Sequence, residues 1–175
     1  VTVNGDCTLK PNYLAFWEVS IDADAGGTVD ASSKRTYASG SAEVTVTATP
    51  NSGYLFDKWV KVSGGEKCFI VDETLAQAQV HVRETCKIKA QFVRAYTVKL
   101  TAGTGGSTNF TSKTVGDGSE VDIVATPANG YGFYRWVGGG FDCSVSSTSS
   151  ASTKMTVKGD CTIEADFRKE WKLTM

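Results

Sequence analysis

The chain repeats itself. The stretch Thr47-Ala-Thr-Pro-Asn-Ser-Gly-Tyr-Leu-Phe-Asp-Lys-Trp-Val60 returns as Val124-Ala-Thr-Pro-Ala-Asn-Gly-Tyr-Gly-Phe-Tyr-Arg-Trp-Val137. A second phrase occurs as Val1-Thr-Val-Asn-Gly-Asp-Cys7, as Val80-His-Val-Arg-Glu-Thr-Cys86 and as Met155-Thr-Val-Lys-Gly-Asp-Cys161. The spacing of Trp59 to Trp136 and of Cys86 to Cys161 sets a period of roughly 77 residues. Such a chain is an array of similar small modules, and a one-off catalytic centre fits near-copies poorly. The phase predicts the tail of a preceding repeat in residues 1–16 and complete modules at 17–95 and 96–170. Residues 171–175 read as the start of a following repeat, because Trp171-Lys-Leu-Thr-Met175 matches Tyr96-Thr-Val-Lys-Leu100. On this phase the sequence is a piece of a longer array.

The cysteines follow the same phase. Cys68 and Cys86 lie 18 residues apart, as do Cys143 and Cys161, at equivalent positions of the two modules. Equal spacing predicts one bridge per module, Cys68–Cys86 and Cys143–Cys161. A closed loop of that size contributes about 3 kcal/mol through lost chain entropy. Cys7 occupies the later position, so its partner is expected upstream. The competing reading is metal ligation, but there is no Cys-x-x-Cys pair and His81 is the only histidine. Disulfides in turn imply an oxidising compartment: secreted, cell-surface or periplasmic. A net charge of −1 gives no nucleic-acid footprint. No apolar run approaches the ~20 residues of a membrane-spanning helix.

The local pattern is β. Glu43-Val-Thr-Val-Thr-Ala-Thr49 and Glu120-Val-Asp-Ile-Val-Ala-Thr126 alternate with period two and stop at Pro50 and Pro127. Turn residues follow, and then strands carrying Tyr54, Phe56 and Trp59 or Tyr131, Phe133 and Trp136. Gln79–Arg83 and Lys154–Lys158 alternate again. The short turns before Cys86 and Cys161 predict hairpins with the cysteine opening the second strand. Asp72–Gln79 is compatible with one or two helical turns; the Ser-rich counterpart from Ser144 to Ser152 carries no helix signal.

Together, Gly26-Gly27-Thr28 and Gly105-Gly106-Ser107, Ala-Thr-Pro, Gly-Tyr-x-Phe-x-x-Trp and a closing Ala-x-Phe resemble the divergent internalin-B-type repeat of bacterial surface proteins. The resemblance covers both complete modules and the leading tail. It implies an all-β, mainly antiparallel chain of small β-grasp-like or sandwich-like modules with little or no helix. It also implies a stalk, spacer or adhesive role without catalytic residues or cofactor. The cysteine pair departs from the family's common pattern.

The residues by themselves point the same way. With one histidine there is no repeated Ser/His pairing for a hydrolase. His81 aligns with Thr156 and reads as a solvent-facing strand position; Asp22 and Asp24 align near Thr101 and Gly103, against a repeated calcium site. Gly116-Asp117-Gly118 reads as a turn, and Asn109-Phe-Thr111 is a glycosylation sequon. The shared aromatics Tyr54, Phe56, Trp59, Tyr131, Phe133 and Trp136 fit a core better than a tailored site, although Trp17, Trp59, Trp136 and Trp171 also offer stacking faces. Tyr134 replaces Asp57 in one copy only, so Tyr134 with Gly138, Gly139, Gly140 and Phe141 forms the candidate contact surface. Val62–Lys67 and Ser144–Thr153 are further variable stretches. Beside the stalk or adhesive role, the residues leave open a carbohydrate- or protein-binding accessory module and a self-assembling extracellular fibre subunit. The expected partners are neighbouring repeats, a host or cell-surface glycan or protein, and a second copy joined through edge strands.

Overall fold

The structure, a computed structural model, describes residues 16–37 and 42–171. The greater part of the leading tail, with Cys7, and the last four residues lie outside the described residues. Fifteen strands follow in order, and no helix occurs among the described residues. They are β1 (Phe16–Ala23), β2 (Gly27–Val29), β3 (Ser33–Tyr37), β4 (Ala42–Pro50), β5 (Tyr54–Ser63), β6 (Cys68–Ile70), β7 (Gln77–Val82) and β8 (Cys86–Ala102). The series repeats as β9 (Gly106–Thr108), β10 (Ser112–Gly116), β11 (Glu120–Pro127), β12 (Tyr131–Gly138), β13 (Cys143–Val145), β14 (Ser152–Val157) and β15 (Cys161–Lys169).

The chain packs as two compact units. The first takes the described residues up to Asp24 with Thr28–Thr49 and Lys58–Gln91; the second takes Ala25–Gly27, Pro50–Asp57 and the chain from Phe92 onward. In the first repeat, the strand order β3-β1-β8-β5 uses the first half of β8, and β2-β4-β7-β6 forms a second sheet. Val19, Ile21, Ile88 and Ala90 from one sheet and Val44, Val46, Val80 and Val82 from the other are buried. In the second repeat, β10 and β15 flank the second half of β8, β12 lies outside β15, and β9-β11-β14-β13 forms the other sheet. Its core joins Val98, Leu100, Ile163 and Ala165 to Val121, Ile123, Met155 and Val157 around Trp136. The strict alternation of β4 and β11 explains these layers: every second side chain is apolar and turns inward.

Most strand pairs are antiparallel. Parallel among the described residues are β1 with β8, from Val19↔Cys86 to Ala23↔Ala90, and β8 with β15, from Cys161↔Val98 to Ala165↔Ala102. Each joins the first strand of a repeat to its last.

Two local expectations are corrected. Strands β7 and β8 do not form a hairpin, and neither do β14 and β15. Strand β7 is taken on its two sides by β4 and β6, and β14 by β11 and β13, so the next strand crosses to the other sheet. The cysteine does open that strand. Asp72–Gln79 forms no helix either, because the Asp72 carboxylate accepts hydrogen bonds from the Thr74 amide (2.9 Å) and hydroxyl (2.6 Å). That local pairing competes with helical bonding, and β7 begins at Gln77 with Ala78 and Val80 turned inward.

Candidate functional surfaces

A buried tryptophan organises the variable loop of each module. Trp59 is fully buried and Trp136 almost so. A buried indole N–H needs an acceptor, and here it finds main chain: Trp59 Nε1 donates to the Leu75 carbonyl at 3.0 Å, and Trp136 Nε1 to the Ser150 carbonyl at 2.9 Å. The backbone amides of the same residues donate to Glu73 O and Thr148 O, both at 2.8 Å. The loop also closes onto β4 and β11, where Ala48 N donates to Ala76 O at 2.9 Å and Ala125 N to Ala151 O at 2.8 Å. All six acceptors are carbonyls. None of these six bonds uses a loop side chain, and Asp-Glu-Thr-Leu-Ala76 and Ser-Thr-Ser-Ser-Ala151 trace the same turn. Sequence reasoning placed the tryptophans in the core but missed this second task.

The other shared aromatics are half-buried, and their arrangement is duplicated. Phe56 meets Phe92 edge-to-face at 5.9 Å, and Phe133 meets Phe167 at 6.0 Å. Tyr54 and Tyr131 are half-buried. The Gly-Gly pairs make room for these rings. A Cβ on Gly26 would lie 2.6 Å from Tyr54 and from Phe92, and one on Gly106 would lie 2.2 Å from the Phe167 ring.

The cysteines pair as Cys68–Cys86 and Cys143–Cys161, with Cα–Cα distances of 6.3 and 6.2 Å. Each bridge ties the opening of the last strand to the short edge strand of the other sheet.

Tyr134 is the extra residue of a β-bulge on β12, where the register with β15 shifts between Phe133 and Arg135. It is 38% exposed, but one ring face carries the Arg168 guanidinium at 3.2 Å, with Arg135 at 5.3 Å. That face is already occupied, which leaves less of the ring for stacking than the sequence suggested. Beyond it, Gly138, Gly139 and Gly140 all take positive φ (106°, 84° and 58°) and throw Phe141 fully into solvent. Trp17 is half-buried and Trp171 exposed.

The remaining candidates are structural. His81 is half-covered: Phe69 stacks on it at 4.6 Å, and Glu43 lies 3.4 Å from Nε2. Asp22 pairs with Lys87 at 2.6 Å. Gly116-Asp117-Gly118 forms the expected turn, with Gly118 at φ 76°. The Asn109 side chain acts as an added rung beside β11, donating to Asp122 O (3.0 Å) and accepting from Val124 N (3.1 Å). Modification of its amide would remove one of the two N–H donors and place the added group beside that rung. The two bonds from Thr74, the hydroxyl first and then the amide, hold the Asp72 carboxyl below its ordinary pKa. A groove beside β15 gathers Thr97, Lys99, Asp160 and Thr162, with Asp160 accepting from Thr97 N at 2.6 Å. Among the described residues no group of three or more His, Cys, Asp or Glu side chains is placed to hold a metal ion.

A duplicated all-β module with one inter-sheet disulfide, a glycine-seated aromatic cluster and a tryptophan-held loop defines a tandem-repeat protein. The chain belongs to the divergent InlB B-repeat domain family, whose model matches twice, over residues 17–95 and 96–170. No curated protein and no solved structure matches the chain.

Proposed function

We propose that this chain is a non-catalytic spacer region of a secreted or surface-exposed protein, in which disulfide-closed modules set distance and present exchangeable loops. The observation that supports this most is the division of labour between the copies. What they share is core, ring-over-glycine packing, tryptophan-to-carbonyl bonds and the bridge. What they do not share is surface chemistry: Asp57 stands where the second copy has Tyr134, Phe69 where it has Ser144, and His81 where it has Thr156. A repeated chemical task would need repeated chemical groups. Two disulfides and the family favour an oxidising, extracytoplasmic setting. No helix among the described residues is long and apolar enough to cross a membrane.

The test is display on a cell surface. An epitope carried beyond residues 17–170, and beyond the same segment with 96–170 duplicated, should become more accessible to a bulky antibody as the module is added. Unchanged access would sink the spacer reading.

A second, adhesive reading draws on Phe141, an exposed aromatic lifted by three glycines of positive φ. Glycan and protein arrays probed with the wild type and with Phe141→Ala test it. Binding that the substitution leaves untouched would remove this loop from consideration.

A further inference from the structure

We infer that each module is built to bear tension along the chain, with its first and last strands forming a shear clamp. A spacer need not carry load, so this goes beyond the proposed function and can fail without it.

The geometry begins with strand direction. In the first repeat, β1 and the first half of β8 lie side by side and run parallel, matched from Val19↔Cys86 to Ala23↔Ala90. In the second repeat, the second half of β8 and β15 do the same, from Cys161↔Val98 to Ala165↔Ala102. Parallel neighbours place the start of one strand and the end of the other at opposite ends of the pair. Tension entering at the module's start and leaving at its end therefore acts along the strands. It loads the evenly spaced bonds of the parallel ladder together. Had the two strands been antiparallel neighbours, the same pull would open the ladder one bond at a time.

Three further features suit that task. The clamp residues Val19, Ile21, Ile88 and Ala90, and Val98, Leu100, Ile163 and Ala165, are buried, which keeps competing water from the loaded bonds. Strand β8 has 17 residues, and its first half closes one clamp while its second half opens the next. Finally, Cys86 and Cys161 stand at the first matched position of each closing strand, tied to the opposite sheet. If a clamp yields, the 18-residue segment behind the bridge stays locked.

Optical-trap rupture of the intact chain tests this through the choice of handles. Click-reactive residues at Arg94 and Lys169, both exposed, sit at opposite ends of the β8–β15 pair and shear it; handles at Arg94 and Lys158, also exposed, sit at one end and unzip it. At equal loading rate the shear axis should rupture at several-fold higher force, a quantity governed by the unfolding barrier. On that axis, reductant should lengthen the released chain by ~60 Å, the reach of the locked segment at ~3.5 Å per residue. Equal rupture forces on the two axes would overturn the inference and leave the spacer reading standing. An unchanged released length after reduction would overturn the role given to the bridge.

Discussion

At the scale of single residues, two shared positions explain why the motif is conserved between the copies, and both can be tested. Gly106 lies flat against the Phe167 ring, with ring carbons 2.2 to 2.6 Å from where a Cβ would sit. The ring cannot retreat easily, being buried and engaged edge-to-face by Phe133. Gly106→Ala should therefore cost about 1–3 kcal/mol through overpacking. Gly118→Ala is the comparison: its Cβ meets open space and only the φ of 76° is strained. That strain alone should cost about 1–2 kcal/mol. A Gly106→Ala urea midpoint equal to the wild type would show that the ring does not press on Gly106. The second position is Trp136. Trp136→Phe keeps an aromatic in the core but removes the donor to Ser150 O and leaves part of the ring's volume empty. About 1–3 kcal/mol should be lost, and amide exchange should quicken across 147–151. A stability loss without faster loop exchange would mean that the indole fills space and does not hold the loop.

At the scale of elements, the bridge between sheets is the feature with the largest single effect. Closing an 18-residue loop should stabilise the second module by about 3 kcal/mol, so the double variant Cys143→Ala/Cys161→Ala should lose that amount in urea unfolding. Retention of the wild-type midpoint would show that the sheets hold together without the bridge. The elements also show how far the sequence could be read. Strands β4 and β11 were legible because their alternation specifies which face is buried and Pro50 and Pro127 mark the end. The three-residue strands β2, β6, β9 and β13 were not, since three residues carry no period. The hairpins expected before Cys86 and Cys161 failed for a related reason. A period-two pattern says which way a side chain points and nothing about which strand lies alongside. The partners of β8 and β15 are set by distant β1, β5 and β12, and a short turn alone does not reveal that. Of the candidate contact residues, Phe141 is fully exposed. The cover that Arg168 gives Tyr134 was invisible, because it depends on a cross-strand neighbour brought close by a bulge.

At the scale of the whole molecule, duplication supplies an internal control that a single domain lacks. The loop of each copy hangs from the same tryptophan amide, indole and strand amide, all donating to carbonyls. Its side chains add local ties, Asp72 to Thr74 in one copy, and Ser147 to Ser149 and Ser150 to Ser152 O in the other. If the scaffold reads main chain alone, Asp72–Ala76 and residues 147–151 should be interchangeable. Exchanging them leaves the tryptophan clamps, the cores and both disulfides untouched, and replaces exposed or half-buried side chains for the most part. The exchanged protein should unfold within ~0.5 kcal/mol of the wild type, the range of ordinary surface substitutions. Any ligand recognised through one loop should follow that loop to its new module. A loss of several kcal/mol would mean that each loop is fitted to its own module, and the duplicated fold would then be two specialised domains and not a scaffold with variable inserts.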